Sequence, residues 1–265
     1  MSAPFSLNGR RALVTGANSD IGAAIARGLG ILGADLVLHH LDAAHVTERL
    51  ADEMRAQGRS AAIVESDFLD LASVAPFADK VMAEHGAIDI LVSCTAIERR
   101  IPWTQATPAH LQEHFAAGVM ALVSLASVLV PAMAARGWGR VVAIGSVMAA
   151  RPRAETVAYA AAKSAQFTAL RAIARDVARD GVTMNVVSPG AIETSRLAER
   201  YADPEFRRAV TAKIPAARPG RPEDVAGPVM MLCSDAGAYI TGANIPVDGG
   251  WTIGDAPGVL PGAGT

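Results

Sequence analysis

Cysteine is scarce. Cys94 and Cys233 are the only two in 265 residues, and both sit in apolar surroundings. That number and spacing exclude a disulfide framework and a cysteine-based metal site, so no metal is expected. No basic run is present and the formal net charge is -2, which argues against a nucleic-acid partner. The first residues lack a basic segment followed by an apolar one, so no signal peptide is expected and a cytoplasmic location is. The longest apolar stretch, residues 119–135, is broken by Ser124, Ser127 and Pro131. It is slightly short for the ~20 residues of a membrane span, and reads as a buried or interface helix. Linker composition and internal repeats are also missing, so one domain is expected over 1–265.

What is present supports a large core: 51% of residues are hydrophobic and 19% charged. The length suits one α/β domain, which often runs to about 250 residues. Short β-rich runs at 10–16, 33–40, 60–67, 88–96, 140–146, 182–190 and 243–250 alternate with helical patterns. The helical patterns take in Ile21, Ala24, Ile25 and Leu29, then cover about 43–57, 71–85, 108–136, 155–180 and 222–235. Alternation of this kind implies βαβ units with right-handed crossovers. The expected architecture is a doubly wound (Rossmann) seven-stranded parallel sheet with helices on both faces. Residues 190–221 are polar and irregular and read as a substrate loop. The Gly- and Pro-rich residues 251–265 read as an extended tail.

Two stretches carry chemistry. Residues 15–22, TGANSDIG, pass from a first strand through a glycine turn into a helix N-terminus. Free N–H groups and the positive end of the helix dipole make that place suited to a pyrophosphate. The second stretch runs from Val141 to Lys163. An apolar run ends at Ser146, Tyr159 follows, and Lys163 lies four residues on, one helical turn away on the same face. A free phenol titrates near ~10; an ammonium one turn away favours the phenolate and lowers that value. A Tyr-x-x-x-Lys spacing alone is also common on ordinary helix surfaces.

Together with Asp67, NVVSPGAIET at 185–194, GRPEDVA at 220–226 and YITGANIPVDGG at 239–250, these pieces resemble the short-chain dehydrogenase/reductase family from Arg10 to about Trp251. The resemblance implies an NAD(P)-dependent oxidoreductase and a homotetramer. Tyr159 would be general acid/base, Lys163 would lower its pKa and hold the nicotinamide ribose, and Ser146 would orient the substrate oxygen. Gly16, Ser19, Asp20 and Ile21 belong to the pyrophosphate loop. Asp67 and Phe68 would flank the adenine, and Cys94 and Ala96 would offer backbone contacts. Pro189, Gly190, Ile192 and Thr194 would hold the nicotinamide.

Three positions depart from the family pattern. Asp20 stands where glycine is usual; a carboxylate there either caps the helix, the reading favoured here, or repels the pyrophosphate. Ser93-Cys94-Thr95-Ala96 replaces Asn-Asn-Ala-Gly, with Ser93 a replacement brace and Cys94 a small apolar filler. Gly118 stands where the family carries a catalytic asparagine, and no other asparagine occurs in 97–139. The proton relay from Lys163 is then rerouted or impaired. His114, one turn earlier, reads as a helix-surface histidine rather than a relay member.

Position 40, a carboxylate in NAD-preferring relatives, is histidine, and arginine is missing from positions 19 and 41, where NADP-preferring relatives often carry it. The cofactor is therefore expected to be NAD(H) or NADP(H), leaning to NAD, with His40 at the ribose. Arg99 and Arg100 follow the fourth strand in a run that resembles gluconate dehydrogenases; they either fork a substrate carboxylate or lie solvated in the loop. Arg153, Glu155, Glu193 and Arg196 are further candidates for the mouth. The expected reaction moves a hydride between a nicotinamide and a hydroxyl/carbonyl pair of a sugar, polyol, sugar acid or keto acid. The alternatives are a redox-inactive scaffold with a binding role, and a non-redox lyase or dehalogenase. The glycine loop and Lys163 disfavour the latter.

Overall fold

A computed structural model describes residues 4–253. The expected tail falls mostly beyond them, with 254–265 outside the described residues. Seven strands form one parallel sheet: β1 (Arg11–Thr15), β2 (Asp35–His40), β3 (Ala61–Glu65), β4 (Ile90–Ser93), β5 (Gly139–Ile144), β6 (Val182–Pro189) and β7 (Asn244–Val247). Their order is β3-β2-β1-β4-β5-β6-β7. The expected doubly wound sheet is the one found.

Strand periodicity splits the core in two. On β1, Ala12 and Val14 enter one apolar cluster and Leu13 the other. On β4, Ile90 and Val92 face the first while Leu91 faces the second, and β5 repeats the pattern with Val142 and Val141. Successive side chains point to opposite faces, so strands covered on both sides must be apolar throughout. The first face is covered by α1 (Asp20–Ile31), α2 (Ala44–Ala56) and α9 (Pro222–Cys233), through Ile25, Leu29, Leu50, Met54, Val225 and Val229. The second is covered by α3 (Leu71–His85), α5 (Ala121–Ala135) and α6 (Val157–Val177), through Phe77, Val81, Leu122, Leu125 and Leu170.

The long apolar region is not a plain helix. It runs from α4 (Pro108–Phe115) through a π-helical segment, Ala116–Met120, into α5. Expected from residues 119–135 to be too short for a membrane span, the whole run is 28 residues and passes by length and composition. Half of its most apolar window is buried in the core.

Strand order reverses between β1 and β4, and a crevice opens at their carboxyl ends. The excursion expected at 190–221 is pinned at its base. Glu193 N–H donates to Gly220 O at 2.8 Å and Gly220 N–H to Ala191 O at 2.9 Å. Between those points, α7 (Ala198–Ala202) and α8 (Pro204–Thr211) arch beside the crevice.

Candidate active site

The glycine loop is tight because two backbones nearly touch. Gly16 has φ of +63° and packs on the Cys94–Thr95 peptide; a Cβ at Gly22 would lie 2.3 Å from the Gly16 carbonyl oxygen. Ser19 caps α1: its Oγ accepts from Gly22 N–H at 3.1 Å and donates to Gly16 O at 2.8 Å. This corrects the reading of Asp20 as a cap. Asp20 is the first helical residue, and its carboxylate instead accepts from Ser195 N–H and from the Ser195 hydroxyl.

The loop has a second brace, which sequence reasoning missed. Gly16 N–H donates to His39 Nδ1 at 3.2 Å, and Ala17 N–H to His39 O at 2.9 Å. His39 Nε2 pairs with Ser66 O at 3.0 Å. Burial lowers its pKa to about 4, which keeps the ring neutral, as an acceptor at Nδ1 requires. Phe68 stacks on His39 with centroids 4.2 Å apart, and so supports the loop from beneath. His40 is buried, with Nδ1 accepting from Ala43 N–H at 3.3 Å. Asp67 is exposed and binds Leu69 N–H at 2.9 Å.

After β4, the brace comes from Thr15, not from Ser93. The Thr15 hydroxyl accepts from Cys94 N–H at 3.1 Å and Thr95 N–H at 3.3 Å. Burial pushes the Cys94 thiol up to about 12, so it stays protonated, in keeping with an apolar filler.

A cavity of about 700 Å³ opens over these strand ends. It gathers Ser19, Asp20, Ile21, Cys94, Ala96, Ser146, Tyr159, Lys163, Pro189, Gly190, Ile192 and Thr194 from the expected set, with Arg100 and Arg153. Gly16, His40, Asp67, Phe68 and Arg99 are not among its lining residues. Arg99 is exposed and pairs with Glu113 at 3.2 Å. Arg100 reaches Glu98 at 2.6 Å, and Arg196 reaches the same carboxylate at 3.4 Å. Neither Glu155 nor Glu193 lines the cavity; Glu193 is held by Arg207. His114, expected on the helix surface, is 2% exposed. Its Nδ1 pairs with His110 O at 2.8 Å and its Nε2 accepts from Arg99 N–H at 3.2 Å, so it shapes the loop after β4.

Lys163 is 3% exposed and donates to Ile144 O at 2.6 Å and Gln166 Oε1 at 3.3 Å. Burial brings its pKa down to about 8. Its Nζ lies 5.7 Å from the Tyr159 ring centroid. The expected lowering of the phenol by this ammonium is not the balance found. Burial, and then the Glu98 charge, push Tyr159 up to about 12, against weaker opposite pulls from the Ser146 hydroxyl, Arg196 and Arg100. Glu98, five residues past the strand, was not singled out in the sequence, yet its charge falls on both titrating groups.

A family model described as enoyl-(acyl carrier protein) reductase matches residues 16–252. The chain belongs to the short-chain dehydrogenase/reductase family. The 2-dehydro-3-deoxy-D-gluconate 5-dehydrogenase of Pseudoalteromonas atlantica is 32% identical to this dehydrogenase/reductase, over 93% of this chain and 97% of its own. A 3-oxoacyl-(acyl-carrier-protein) reductase of Pseudomonas aeruginosa is 36% identical over 93% and 98%. Among solved structures, a gluconate 5-dehydrogenase of Burkholderia cenocepacia, in complex with NADP and tartrate, superposes with a TM-score of 0.88. It is 32% identical, covering 95% of this chain and 98% of its own. This family member is therefore an NAD(P)-dependent oxidoreductase.

Proposed function

We propose that this enzyme moves a hydride between a nicotinamide and a hydroxyl/carbonyl pair of a small anionic substrate, a sugar acid or keto acid. The carrying observation is the company kept by Tyr159. One cavity holds Ser146, Tyr159 and Lys163 together with Arg100, Arg153, Arg196, Arg200 and Lys213, against the carboxylates of Asp20 and Glu98. Six cations, Lys163 among them, facing two anions suit a carboxylate ligand, for which arginine offers a paired fork. The tartrate held by the Burkholderia relative is such a ligand.

The residues present fit a dinucleotide. The close approach of Gly22 to Gly16 leaves a helix N-terminus open to a pyrophosphate beside Ser19, Asp20 and Ile21. Gly190 is equally confined, since a Cβ there would lie 2.7 Å from the Asp248 Cβ; with Pro189, Ile192 and Thr194 it would hold the nicotinamide. Lys163 would hold the ribose, the exposed Asp67 the adenosine end, and Cys94 and Ala96 would contribute backbone; His40 and Phe68, expected at the adenosine, are buried and would support that end from behind. When bound, the dinucleotide supplies the hydride acceptor or donor. An NAD preference has no support among these relatives, since the Burkholderia structure holds NADP; both dinucleotides belong in the test.

In this reading Ser146 orients the reacting oxygen and Tyr159 exchanges its proton, with Lys163 as the fixed positive charge nearby. The test is absorbance change with NAD or NADP on a panel of sugar acids, hydroxy acids and neutral polyols, with wild type and Tyr159→Phe. Acids should turn over better than polyols. The variant should lose ~10²–10⁴-fold in turnover, the usual worth of general acid–base catalysis, and keep dinucleotide affinity. Binding without turnover anywhere on the panel would instead support a redox-inactive scaffold.

A further inference from the structure

Gly118 removes a side chain from the neighbourhood of Lys163, yet the space is not left without a polar group. Gln166, one turn beyond Lys163 on α6, is fully buried. Its Oε1 accepts from Lys163 Nζ at 3.3 Å, and its Nε2 donates to Gly118 O at 3.1 Å. The orientation of this amide is fixed by chemistry: an ammonium only donates and a carbonyl only accepts, so the amide can sit only one way round. Gly118 lies in the π-helical segment, where the backbone departs from the α-helical ladder and a carbonyl becomes open to other donors. A Cβ at Gly118 would meet only the Ala162 Cβ, at 3.9 Å.

We propose that Gln166 is a positioning residue that fixes the Lys163 ammonium by bridging it to the Gly118 carbonyl, in place of the asparagine that position 118 lacks. Ile144 O supplies the second acceptor. A bridge held at both ends does not turn over as a water would, so it acts as a strut for the charge rather than a path for protons. The titratable groups facing this ammonium are Cys94 at the end of β4, Glu98 in the loop beyond it and Tyr159 on its own helix. The amide links the ammonium to the Gly118 carbonyl.

The inference rests on the oxidoreductase reading for its consequence in catalysis but not for its test. The chain has three lysines, Lys80, Lys163 and Lys213, so NMR of lysine labelled at Cε follows the Lys163 titration directly in the whole cofactor-free protein. Deleting an acceptor from a buried ammonium disfavours its charged form. Gln166→Leu should lower the Lys163 titration by about one to two pH units. Gln166→Glu keeps an oxygen at the same reach and adds a negative charge, so it should raise the value above that of wild type. The alkaline limb of kcat/KM on a good substrate should move the same way in each variant. A Lys163 titration unchanged in both variants overturns the proposal, even if thermal stability falls. Should Gln166→Leu fail to fold, Gln166→Glu decides alone: an unmoved titration overturns the strut. Wild type without turnover on any substrate would count against the oxidoreductase reading and leave the NMR result to stand by itself.

Discussion

The Asp20 carboxylate accepts two hydrogen bonds from Ser195, one from its N–H and one from its hydroxyl, each at 2.8 Å. These bonds tie the first turn of the cofactor helix to the start of the excursion over the crevice. The same carboxylate adds a negative charge where a pyrophosphate would sit. Two substitutions separate the effects. Asp20→Asn keeps an acceptor and removes the charge, so dinucleotide affinity should rise by up to about fivefold, the worth of ~1 kcal/mol of repulsion at contact distance in water. Substrate KM should hold. Asp20→Ala should give the same gain in dinucleotide affinity but raise substrate KM, because 195–211 loses its tie. Equal KM values in the two variants would show that the tie plays no part in substrate binding.

Arg99 and Arg100 are adjacent in sequence but differ in place. Arg100 lines the cavity, whereas Arg99 pairs with Glu113 on the outside. Arg100→Ala should raise KM for sugar acids well above its effect on neutral polyols; Arg99→Ala should leave the two classes alike. Steady-state kinetics on one acid and one polyol decides, and a matched effect of both arginines on both classes contradicts the assignment.

Much of the fold could be read from residue pattern, because it depends on near neighbours. The buried parallel strands show as apolar runs, and the helix expected at 71–85 is found there, ending at Gly86 with φ of +84°. The glycine loop and the Ser146, Tyr159 and Lys163 set were legible for the same reason. What stayed hidden depends on chain far away in sequence. Asp20 reads as a cap until Ser195 is brought against it. His39 reads as a strand residue until its ring meets the Gly16 N–H. His114 reads as surface until the loop after β4 folds over it. Gln166 has no visible partner until α6 packs on the π-helical segment, a local widening that apolar periodicity does not reveal.

His39 makes the protein sensitive to acid. Its pKa falls from 6.5 to about 4 on folding. Between those values the unfolded chain binds the extra proton and the folded one does not, so stability rises with pH in this window and is lost on acidification. The loss should approach on the order of 3 kcal/mol by pH 4. Denaturant unfolding at pH 7 and pH 4.5 measures it. His39→Gln keeps an acceptor for Gly16 N–H and cannot titrate, so its stability should fall less over the same interval. An equal fall in both proteins would remove His39 from the account.

Apolar side chains stand out on two neighbouring helical stretches. Leu111, Met120 and Val123 are 38%, 41% and 38% exposed along 108–135, and Val157 at the start of α6 is 41% exposed. Exposed apolar side chains on neighbouring helices suit an interface with a second copy. We propose a homo-oligomer, most simply a homotetramer. Light scattering at micromolar concentration should give a mass near four chains, and a monomer would contradict the proposal.

After burial, the Glu98 charge is the next largest influence holding the Tyr159 phenol in its protonated form. The Glu98 side chain is only 17% exposed, so solvent screens it little, whereas its partners Arg100 and Arg196 are 42% and 68% exposed and compensate it in part. Burial raises Tyr159 to about 12, and the Glu98 carboxylate, which opposes the phenolate, adds to that rise. Glu98→Gln removes that opposition and also frees two arginines whose charge favours the phenolate. Both changes act in one direction, so the phenol should titrate lower. With Tyr159 as the proposed base of alcohol oxidation, it must lose its proton before it can accept one, so the rate should climb as the phenolate fraction grows with pH. The acidic limb of kcat/KM for oxidation should therefore move to lower pH in Glu98→Gln, by about half a unit or more, equivalent to roughly 0.7 kcal/mol. The freed arginines should at the same time lower KM for anionic substrates. A pH profile that superposes on wild type, with KM unchanged, would show that Arg100 and Arg196 already cancel the Glu98 charge at the phenol.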